Sequence, residues 1–230
     1  FSEKKKNIAQ KIDVITAKSI AQGNAQNTGD LLMNTGKVFL QKSQQGGSSP
    51  VLRGFEASRV LLIIDGVRMN NAIYRSGHLQ NVITTDQNSL SRVEVMYGPS
   101  STIYGSDALG GIVHLVTKSP VLSGNKKFLT TGTGFVRYSS ANEEKTIHAD
   151  ASMGGKKLAW LQSYNFSDFG DMKMGSKYPH KYPNFGRRSN YINRINGIDS
   201  VVVNKDDRVQ KFSGYKQWDM SPRYHARFEA

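Results

Sequence analysis

The fold is decided by two stretches, PVLRGFEASRVLLIIDGVRMNNAIYRSGHLQN (residues 50–81) and SLSRVEVMYGPSSTIYGSDALGGIVHLVTK (residues 89–118). Three apolar runs in them, at 60–64, 93–96 and 112–116, have the length and composition of β-strands. Turns rich in glycine, arginine and serine join these runs. The pattern predicts a small sheet with charged edges.

Local signals refine this prediction. Asp65-Gly66 is a hairpin-turn dipeptide between two strand-like runs. Thr16 is placed to cap a short helix over 17–22, and Leu31 and Leu32 suit the buried side of a second short helix. A glycine set further along predicts backbone positions with tight packing or positive φ, and its members are Gly105, Gly110 and Gly111.

After residue 122 the sequence pattern changes to a weak alternation of apolar and polar residues. Segments 127–138, 146–153 and 158–169 alternate, and strand character resumes over 213–230. Strands of about ten residues with short turns are typical of membrane β-barrels. On periodicity alone, an ordinary soluble meander fits equally well.

A long polar stretch, residues 170–212, separates the last two of these segments. It contains several aromatic residues and asparagines. We predict an irregular loop, and a loop of this length indicates a functional role.

Bulk composition excludes several classes of protein. The chain has 230 residues, no cysteine and a formal net charge of +13. Its positive charge is dispersed and accompanied by no nucleic-acid recognition motif, so anionic lipid, lipopolysaccharide or an acidic ligand is the expected partner. The sequence has no nucleophile elbow and no dinucleotide-binding glycine motif, which predicts that the protein is not an enzyme.

The ordered segments PVLRGF, RVLLIIDGVRMNN and SRVEVMYGPSSTIYGSDALGGIVHLVTK resemble the plug domain of TonB-dependent outer-membrane receptors. The resemblance implies an α+β plug over residues 1–120, built from a small mixed sheet and short helices. Residues 121–230 would then be the first antiparallel strands of a transmembrane barrel of about 22 strands. Residues 170–212 would be an extracellular loop.

The same resemblance implies the location and the partners. We expect the outer membrane of a Gram-negative bacterium and coupling to the TonB energy-transducing complex. Four strands cannot close a barrel, and an open edge in lipid leaves backbone groups unsatisfied. We therefore expect further strands in the functional receptor.

A ligand is suggested by IYRSGHLQN (residues 73–81), which resembles heme and hemoglobin receptors around Gly-His-Leu. The resemblance implies that His78 is an axial iron ligand in an exposed apical loop, with heme as the transported ligand. Arg75 would attract heme propionates and Tyr74 would stack on the porphyrin. The alternative is that His78 is only a polar loop residue. In the outer loop, candidate contacts to heme or to a partner such as hemoglobin or a surface lipoprotein are Tyr178, His180 and Tyr182.

Charged residues recur in the plug segment, and we expect them to pair with one another or with the barrel wall because buried charges need partners. They are Arg53, Arg59, Asp65, Arg68, Arg92, Glu94 and Asp107. Among the other histidines, His114 is expected to be a satisfied strand residue and His148 to face the barrel lumen.

The leading hypothesis is thus an energy-coupled receptor for heme. The first alternative keeps the fold and changes the ligand to a ferric siderophore, cobalamin or another small nutrient. The second is an accessory envelope protein that uses a plug-like fold for protein contacts without transport.

Overall fold

The computed structural model describes residues 11–56, 59–69, 82–100, 104–177 and 181–227. Strands dominate these residues. In chain order the helices and strands are β1 (Lys11–Thr16), α1 (Ala17–Gly23), α2 (Thr28–Met33), β2 (Phe39–Gln44), β3 (Gly47–Val51), β4 (Val60–Ile64), β5 (Val67–Arg68), β6 (Leu90–Tyr97), β7 (Gly111–Thr117), β8 (Leu129–Ser139), β9 (Glu144–Gly154), β10 (Leu158–Phe169), β11 (Met172–Lys173), β12 (Asn190–Ile195), β13 (Ile198–Val203), β14 (Val209–Gln210) and β15 (Tyr215–Ala226).

The three predicted apolar runs are confirmed as strands of one mixed sheet. Its order is β1-β6-β7-β4-β5. The pair β4 and β7 is parallel, and the other pairs are antiparallel. Strand β4, which lies between β7 and β5, reads VLLII and is buried along its first four residues. Such a continuous apolar run suits a strand that is covered on both faces.

One face of this sheet packs a compact core. Leu61, Ile63 and Ile112 meet there with Met96 and Ala108. Burial of a large aliphatic side chain contributes about 1.5–3 kcal/mol, so this cluster is a main source of the sheet's stability.

The predicted turn and helix signals are also confirmed. Asp65 and Gly66 both have positive φ, 47° and 88°, which is the backbone that a two-residue hairpin turn requires. Thr16 caps α1 by accepting a hydrogen bond from Ser19 N. The cap of α2 is Asn27, whose side chain accepts from Asp30 N at 2.9 Å.

Two adjacent glycines allow close packing at the start of β7. A Cβ on Gly110 would lie 2.2 Å from Phe55 Cβ, and one on Gly111 would lie 2.5 Å from Met96 O. Gly111 also has a φ of 147°. Both positions therefore require glycine, as the sequence predicted.

The predicted alternating segments form a second sheet of order β15-β10-β9-β8. The clearest burial pattern is that of β9, whereas the buried side of β10 also includes Leu161 and Phe169. In β9, Glu144, Thr146 and His148 are buried whereas Ile147 and Met153 are exposed. This inverted pattern distinguishes membrane strands from a soluble meander, in which the apolar side would be buried.

Strand β15 contains a proline, a residue that cannot donate to a ladder. Pro222 lies inside the strand, and β15 is an outer strand of the described sheet. An edge position tolerates proline because the missing N–H faces away from a ladder partner.

The prediction of a structureless stretch over 170–212 is wrong. The stretch contains the hairpin β12–β13 and the short pair β11–β14. Asn196 and Gly197 form the hairpin turn, with φ of 51° and 82°. Asn-Gly between alternating residues is a strong hairpin signal, but the surrounding polar residues concealed it.

Replacement of Gly197 by alanine is expected to loosen this hairpin, because a Cβ in the left-handed region costs about 1–2 kcal/mol. Hydrogen exchange of the β12 and β13 amides in the receptor should accelerate about tenfold. Gly175→Ala is the matched control, since nothing lies within 4 Å of its added Cβ and its φ is not positive. Unchanged exchange in Gly197→Ala would contradict the prediction.

The chain divides into two compact units. The first comprises the described residues up to 133, with 150–164 and 219–227. The second comprises 134–149 and 165–218. Within the described residues, no helix has the length and apolar character needed to cross a membrane.

Candidate functional site

Asp65, in the turn after β4, joins the first sheet to β15. Its carboxylate accepts hydrogen bonds from Thr117 N at 2.9 Å and from Thr117 Oγ1 at 2.8 Å. Arg223 Nη2 in β15 donates to the same carboxylate. The turn residue therefore holds both the adjacent strand β7 and a strand far along the chain.

The environment keeps Asp65 ionised. Partial burial acts to raise the pKa of its carboxyl, but hydrogen bonds from Thr117 and Arg223 outweigh burial and lower the pKa below its ordinary value. A lowered pKa means that these contacts persist at neutral pH.

A second polar contact lies at the end of the first sheet. Lys118 Nζ is 2.7 Å from Asp150 Oδ2 in β9, and Thr133 Oγ1 donates to the same oxygen at 2.5 Å. The Asp150 side chain is almost fully buried. Burial makes loss of its cationic partner costly.

The segment after Lys118 is packed against the turn between β9 and β10. A Cβ on Gly154 would lie 2.0 Å from Val121 O. Ser123 N donates to Gly155 O at 3.0 Å. The connection between the two sheets is therefore held by backbone contacts against the turn between β9 and β10.

A polar cleft lies beside Arg223. Its lining comes from β4, β7, β10, β15 and the segment 84–89. The charged side chains that line it are Asp86, Asp219 and Arg223, and Ile64 and Met220 are its apolar residues. The cleft adjoins the Asp65–Arg223 contact through Arg223.

The predicted charged set divides into separate contacts. Arg92 Nε is 2.6 Å from Glu94 Oε1, and His114 Nδ1 is 3.1 Å from Glu94 Oε2 across the β6–β7 ladder. Burial acts to raise the pKa of Glu94, but Arg92 and His114 lower it overall. His114 is thus only partly satisfied, because its Nδ1 contacts Glu94 whereas its buried Nε2 has no hydrogen-bond partner among the described residues.

The other predicted cations and Asp107 make different contacts. Arg53 lies 5.4 Å from the Tyr97 ring centroid, and Arg68 Nη2 would lie 3.2 Å from a Cβ on Gly105. The Arg59 carbonyl accepts from Gly110 N, and Asp107 accepts from Ser106 Oγ. In the described part of the chain, these four residues form no ion pair.

Most predicted ligand contacts lie outside the described residues, namely Tyr74, Arg75, His78, Tyr178 and His180. Tyr182 is described, and its side chain is exposed with Lys181 Nζ 5.7 Å from the ring centroid. Within the ranges that the structure covers, no group of three metal-ligating side chains occurs. His148 is buried and stacks on Phe135 at 5.4 Å between ring centroids.

The outer stretch also holds a small charged cluster. Asp206 lies 3.1 Å from Lys173 Nζ and 3.2 Å from Arg208 Nε. Hydrogen bonds from Lys173 and Arg208 lower the pKa of this exposed carboxyl to about 2. The cluster keeps its charges through the neutral and mildly acidic range.

Sequence reasoning missed Arg223, Asp150 and Lys118 as contact residues. The available signal was a charge at a polar-face position of an alternating strand. That signal marks a side chain directed away from the apolar face but does not identify its partner.

Residues 4–112 match the protein family described as the TonB-dependent Receptor Plug Domain. These residues form a TonB-dependent receptor plug domain. The predicted fold class, a mixed plug sheet followed by antiparallel strands, is confirmed. The strand total of the barrel and the predicted plug boundary at residue 120 stay predictions.

Similar proteins are TonB-dependent transporters. The vitamin B12 transporter BtuB of Vibrio vulnificus (strain CMCP6) is 30% identical over 214 residues, which cover 90% of this chain and 34% of the relative. The chain thus spans about a third of the length of this curated relative.

Solved structures show the same fold at low sequence identity. The FrpB iron transporter from Neisseria meningitidis has a TM-score of 0.69 at 18% identity, over 95% of this chain and 29% of its own. The ferric enterobactin receptor PfeA from Pseudomonas aeruginosa has a TM-score of 0.59 at 19% identity, over 95% and 31%.

These similarities confirm two predictions about the TonB-dependent receptor. The family belongs to the outer membrane of Gram-negative bacteria. Its members are receptors and transporters and not enzymes.

Proposed function

We propose that this chain forms the gate and the first wall strands of an energy-coupled receptor that imports a small nutrient across the outer membrane. The gate is the plug sheet, and the wall strands are β8, β9, β10 and β15. The observation that supports this proposal is the polar character of the contacts between the plug sheet and the wall strands. Asp65 with Arg223, and Lys118 with Asp150, attach the plug sheet to wall strands through charged hydrogen bonds.

Polar attachment suits a gate that must move. Hydrogen bonds broken inside a receptor are replaced by bonds to water, so even one that involves a charged group has a net worth of only about 1.5–3 kcal/mol. Separation of an apolar interface costs about 25 cal/mol for each Å² exposed, with no such replacement. A plug held by polar contacts therefore moves at a lower free-energy cost.

Heme is the first candidate ligand, with His78 as its axial ligand and Arg75 and Tyr74 beside it. A neutral imidazole binds iron, and an arginine fork matches a propionate carboxylate. Outer-loop residues Tyr178, His180 and Tyr182 are proposed to contact heme or a carrier protein.

Cobalamin is the second candidate, and the 30% identity to a vitamin B12 transporter favours it. A ferric siderophore is the third, since PfeA is a ferric enterobactin receptor of the same fold. The proposed protein partners are the TonB complex and, for heme, hemoglobin or a surface lipoprotein. Lipopolysaccharide is the proposed lipid partner of the basic surface.

Titration of the full-length receptor with hemin tests the heme proposal. We expect a Soret shift in the wild type and an affinity at least about tenfold weaker in His78→Ala, which corresponds to about 1.4 kcal/mol. His225→Ala is the control, because His225 is an exposed strand residue.

The same receptor is titrated with cyanocobalamin in parallel. If the receptor binds cyanocobalamin and hemin causes no Soret shift, cobalamin replaces heme as the proposed ligand. A Soret shift that is unchanged in His78→Ala would remove His78 as the iron ligand. Failure to bind hemin, cyanocobalamin and ferric enterobactin would contradict the proposed ligand classes.

A further inference from the structure

The β12–β13 hairpin has open edges. It is a two-stranded sheet, so each strand has one edge without a strand partner among the described residues. Its pairing is regular, with Asn190 opposite Val203 at the base and Ile195 opposite Ile198 beside the turn. A regular open edge is a template on which another extended chain can pair.

The open edge of β13 presents the backbone groups of alternate residues. In a two-residue hairpin the pair beside the turn is hydrogen-bonded, and the following pairs alternate between non-bonded and bonded. The bond from Asn204 N to Ser189 O, at 2.8 Å, fits this alternation at the base of the hairpin. The N–H and C=O groups of Val201 and Val203 therefore point away from β12 and toward the open edge.

The same residues form the exposed apolar side of the hairpin. Val201 is 74% exposed, Val203 is 75% exposed, and Ile192, which pairs with Val201, is 65% exposed. Natural sheets commonly protect such an edge by a lysine, a proline or a bulge. Strand β13 reads IDSVVV and pairs without a register shift, so it has none of these devices.

The base of the hairpin carries unpaired positive charge. Arg188 lies just before β12 and Lys205 just after β13, and both are exposed. Three aspartates near the hairpin already form ion pairs with other cations, and they are Asp199, Asp206 and Asp207. In the part of the chain that the structure describes, neither Arg188 nor Lys205 forms an ion pair. An acidic partner would therefore complement this end of the edge.

An apolar surface beside positive charge suits either an acidic peptide or an anionic lipid. An extended peptide pairs its own N–H and C=O groups with those of a sheet edge, whereas a lipid has no backbone to do so. The outward backbone groups of Val201 and Val203 therefore favour the peptide. An antiparallel arrangement is expected, because antiparallel pairing is slightly more stable for each residue than parallel pairing.

We propose that the open edge of β13 is a docking site for an extended, acidic peptide segment of a partner protein, which adds a third, antiparallel strand to the hairpin. Apolar side chains of the peptide pack beside Val201 and Val203, and its carboxylates lie near Arg188 and Lys205. Main-chain hydrogen bonds supply the affinity, and the alternate side chains supply the specificity. The inference goes beyond nutrient import, because it requires the hairpin alone.

Fluorescence anisotropy with the purified full-length receptor tests this proposal. The probe is a labelled peptide of about the length of β13 in which valine and glutamate alternate. A residue opposite Val201 in an antiparallel pair has its side chain on the same face and its backbone groups toward β13. The valines of the peptide thus supply the pairing N–H groups, and its glutamates direct theirs to solvent.

Two modified peptides separate strand pairing from side-chain contact, since both keep the sequence and the charge of the probe. N-methylation of the valines blocks the donors to β13 and should weaken binding about tenfold or more. N-methylation of the glutamates leaves these donors free and should leave the affinity unchanged. Any other pattern would overturn the proposal. This comparison uses the unaltered receptor, so it does not depend on the folding of a variant.

Receptor variants test the same surface from the other side. Val201→Pro removes one outward N–H but no bond between β12 and β13, and it should weaken binding about tenfold. Arg188→Gln combined with Lys205→Gln should weaken binding about fivefold, and high salt should remove this difference. Lys145→Gln is the control, because Lys145 is an exposed residue of β9 outside the hairpin.

Absence of peptide binding by the wild-type receptor would overturn the proposal. Lipopolysaccharide is titrated in parallel, and its binding through Arg188 and Lys205 in a receptor that binds no peptide would assign the surface to lipid. Nutrient uptake is measured separately. Peptide binding by a receptor that imports no nutrient would contradict the import function alone, whereas import without peptide binding would overturn this inference alone.

Discussion

Replacement of Gly111 by alanine is expected to destabilise the plug sheet by about 3 kcal/mol or more, because overpacking and an unfavourable φ act together. The new Cβ would lie 2.5 Å from Met96 O and 2.8 Å from Leu52 Cδ1. Met96 belongs to the paired strand β6, so its carbonyl cannot move without disturbing the β6–β7 ladder.

Hydrogen exchange in the receptor measures this effect. Amides of β6 and β7 should exchange about a hundredfold faster in Gly111→Ala, in line with a loss of about 3 kcal/mol. Gly98→Ala is the control, since Gly98 also has a positive φ of 100° but nothing within 4 Å of an added Cβ. Equal effects of the two variants would show that φ and not packing determines the loss.

Replacement of Asp65 by alanine is expected to release the plug sheet from β15 at a cost of about 2–4 kcal/mol, because hydrogen bonds to charged groups are worth about 1.5–3 kcal/mol and Arg223 is partly exposed. Arg223 loses its acceptor, and Thr117 loses two. Faster hydrogen exchange at Thr117 and in β15 is the expected result. Asp13→Ala is the control, because Asp13 pairs at 3.1 Å with Lys37, which lies in the plug segment.

The contacts of the Asp65 carboxylate also make the stability of the folded receptor depend on pH, and the direction of this dependence can be predicted. The pKa of Asp65 is lowered in the folded receptor, so its stabilisation is complete above the unfolded pKa, about 3.9, and is lost as pH falls through the folded pKa. The protection factor of the Thr117 amide, which corrects for the pH dependence of intrinsic exchange, should therefore fall on acidification below about pH 4 in the wild type. In Asp65→Ala that fall should be absent, and its persistence would show that another carboxyl controls the contact.

Local signals in the sequence were sufficient to predict structure that depends on residues close together in the chain. The run VLLII is apolar on both faces and forms the interior strand β4, and Asp65-Gly66 forms a turn with positive φ at both residues. Gly111 was foreseen as a close-packed position. In each case the determining interaction lies within a few residues or follows from burial of the whole strand.

Contacts between distant residues could not be predicted in the same way. Arg223 and Asp65 are separated by 158 residues, and no periodicity in either segment specifies the other. The β12–β13 hairpin was missed for another reason. The apolar residues Ile192, Val201 and Val203 lie on its exposed side, and its other side is only half-buried, so neither side has the composition of a core and only the Asn-Gly turn marked it.

The long span between Asp65 and Arg223 also sets an order of events during assembly. The plug sheet is complete in the chain by Thr117, whereas Arg223 follows more than a hundred residues later. Closure of so long a loop carries an entropic cost that grows slowly with length and precedes any gain from the contact. We therefore expect the sheet to fold around Asp65 first, with Thr117 holding the carboxylate in place, and β15 to dock afterwards. Formation of this ion pair is a marker that the fourth wall strand has docked.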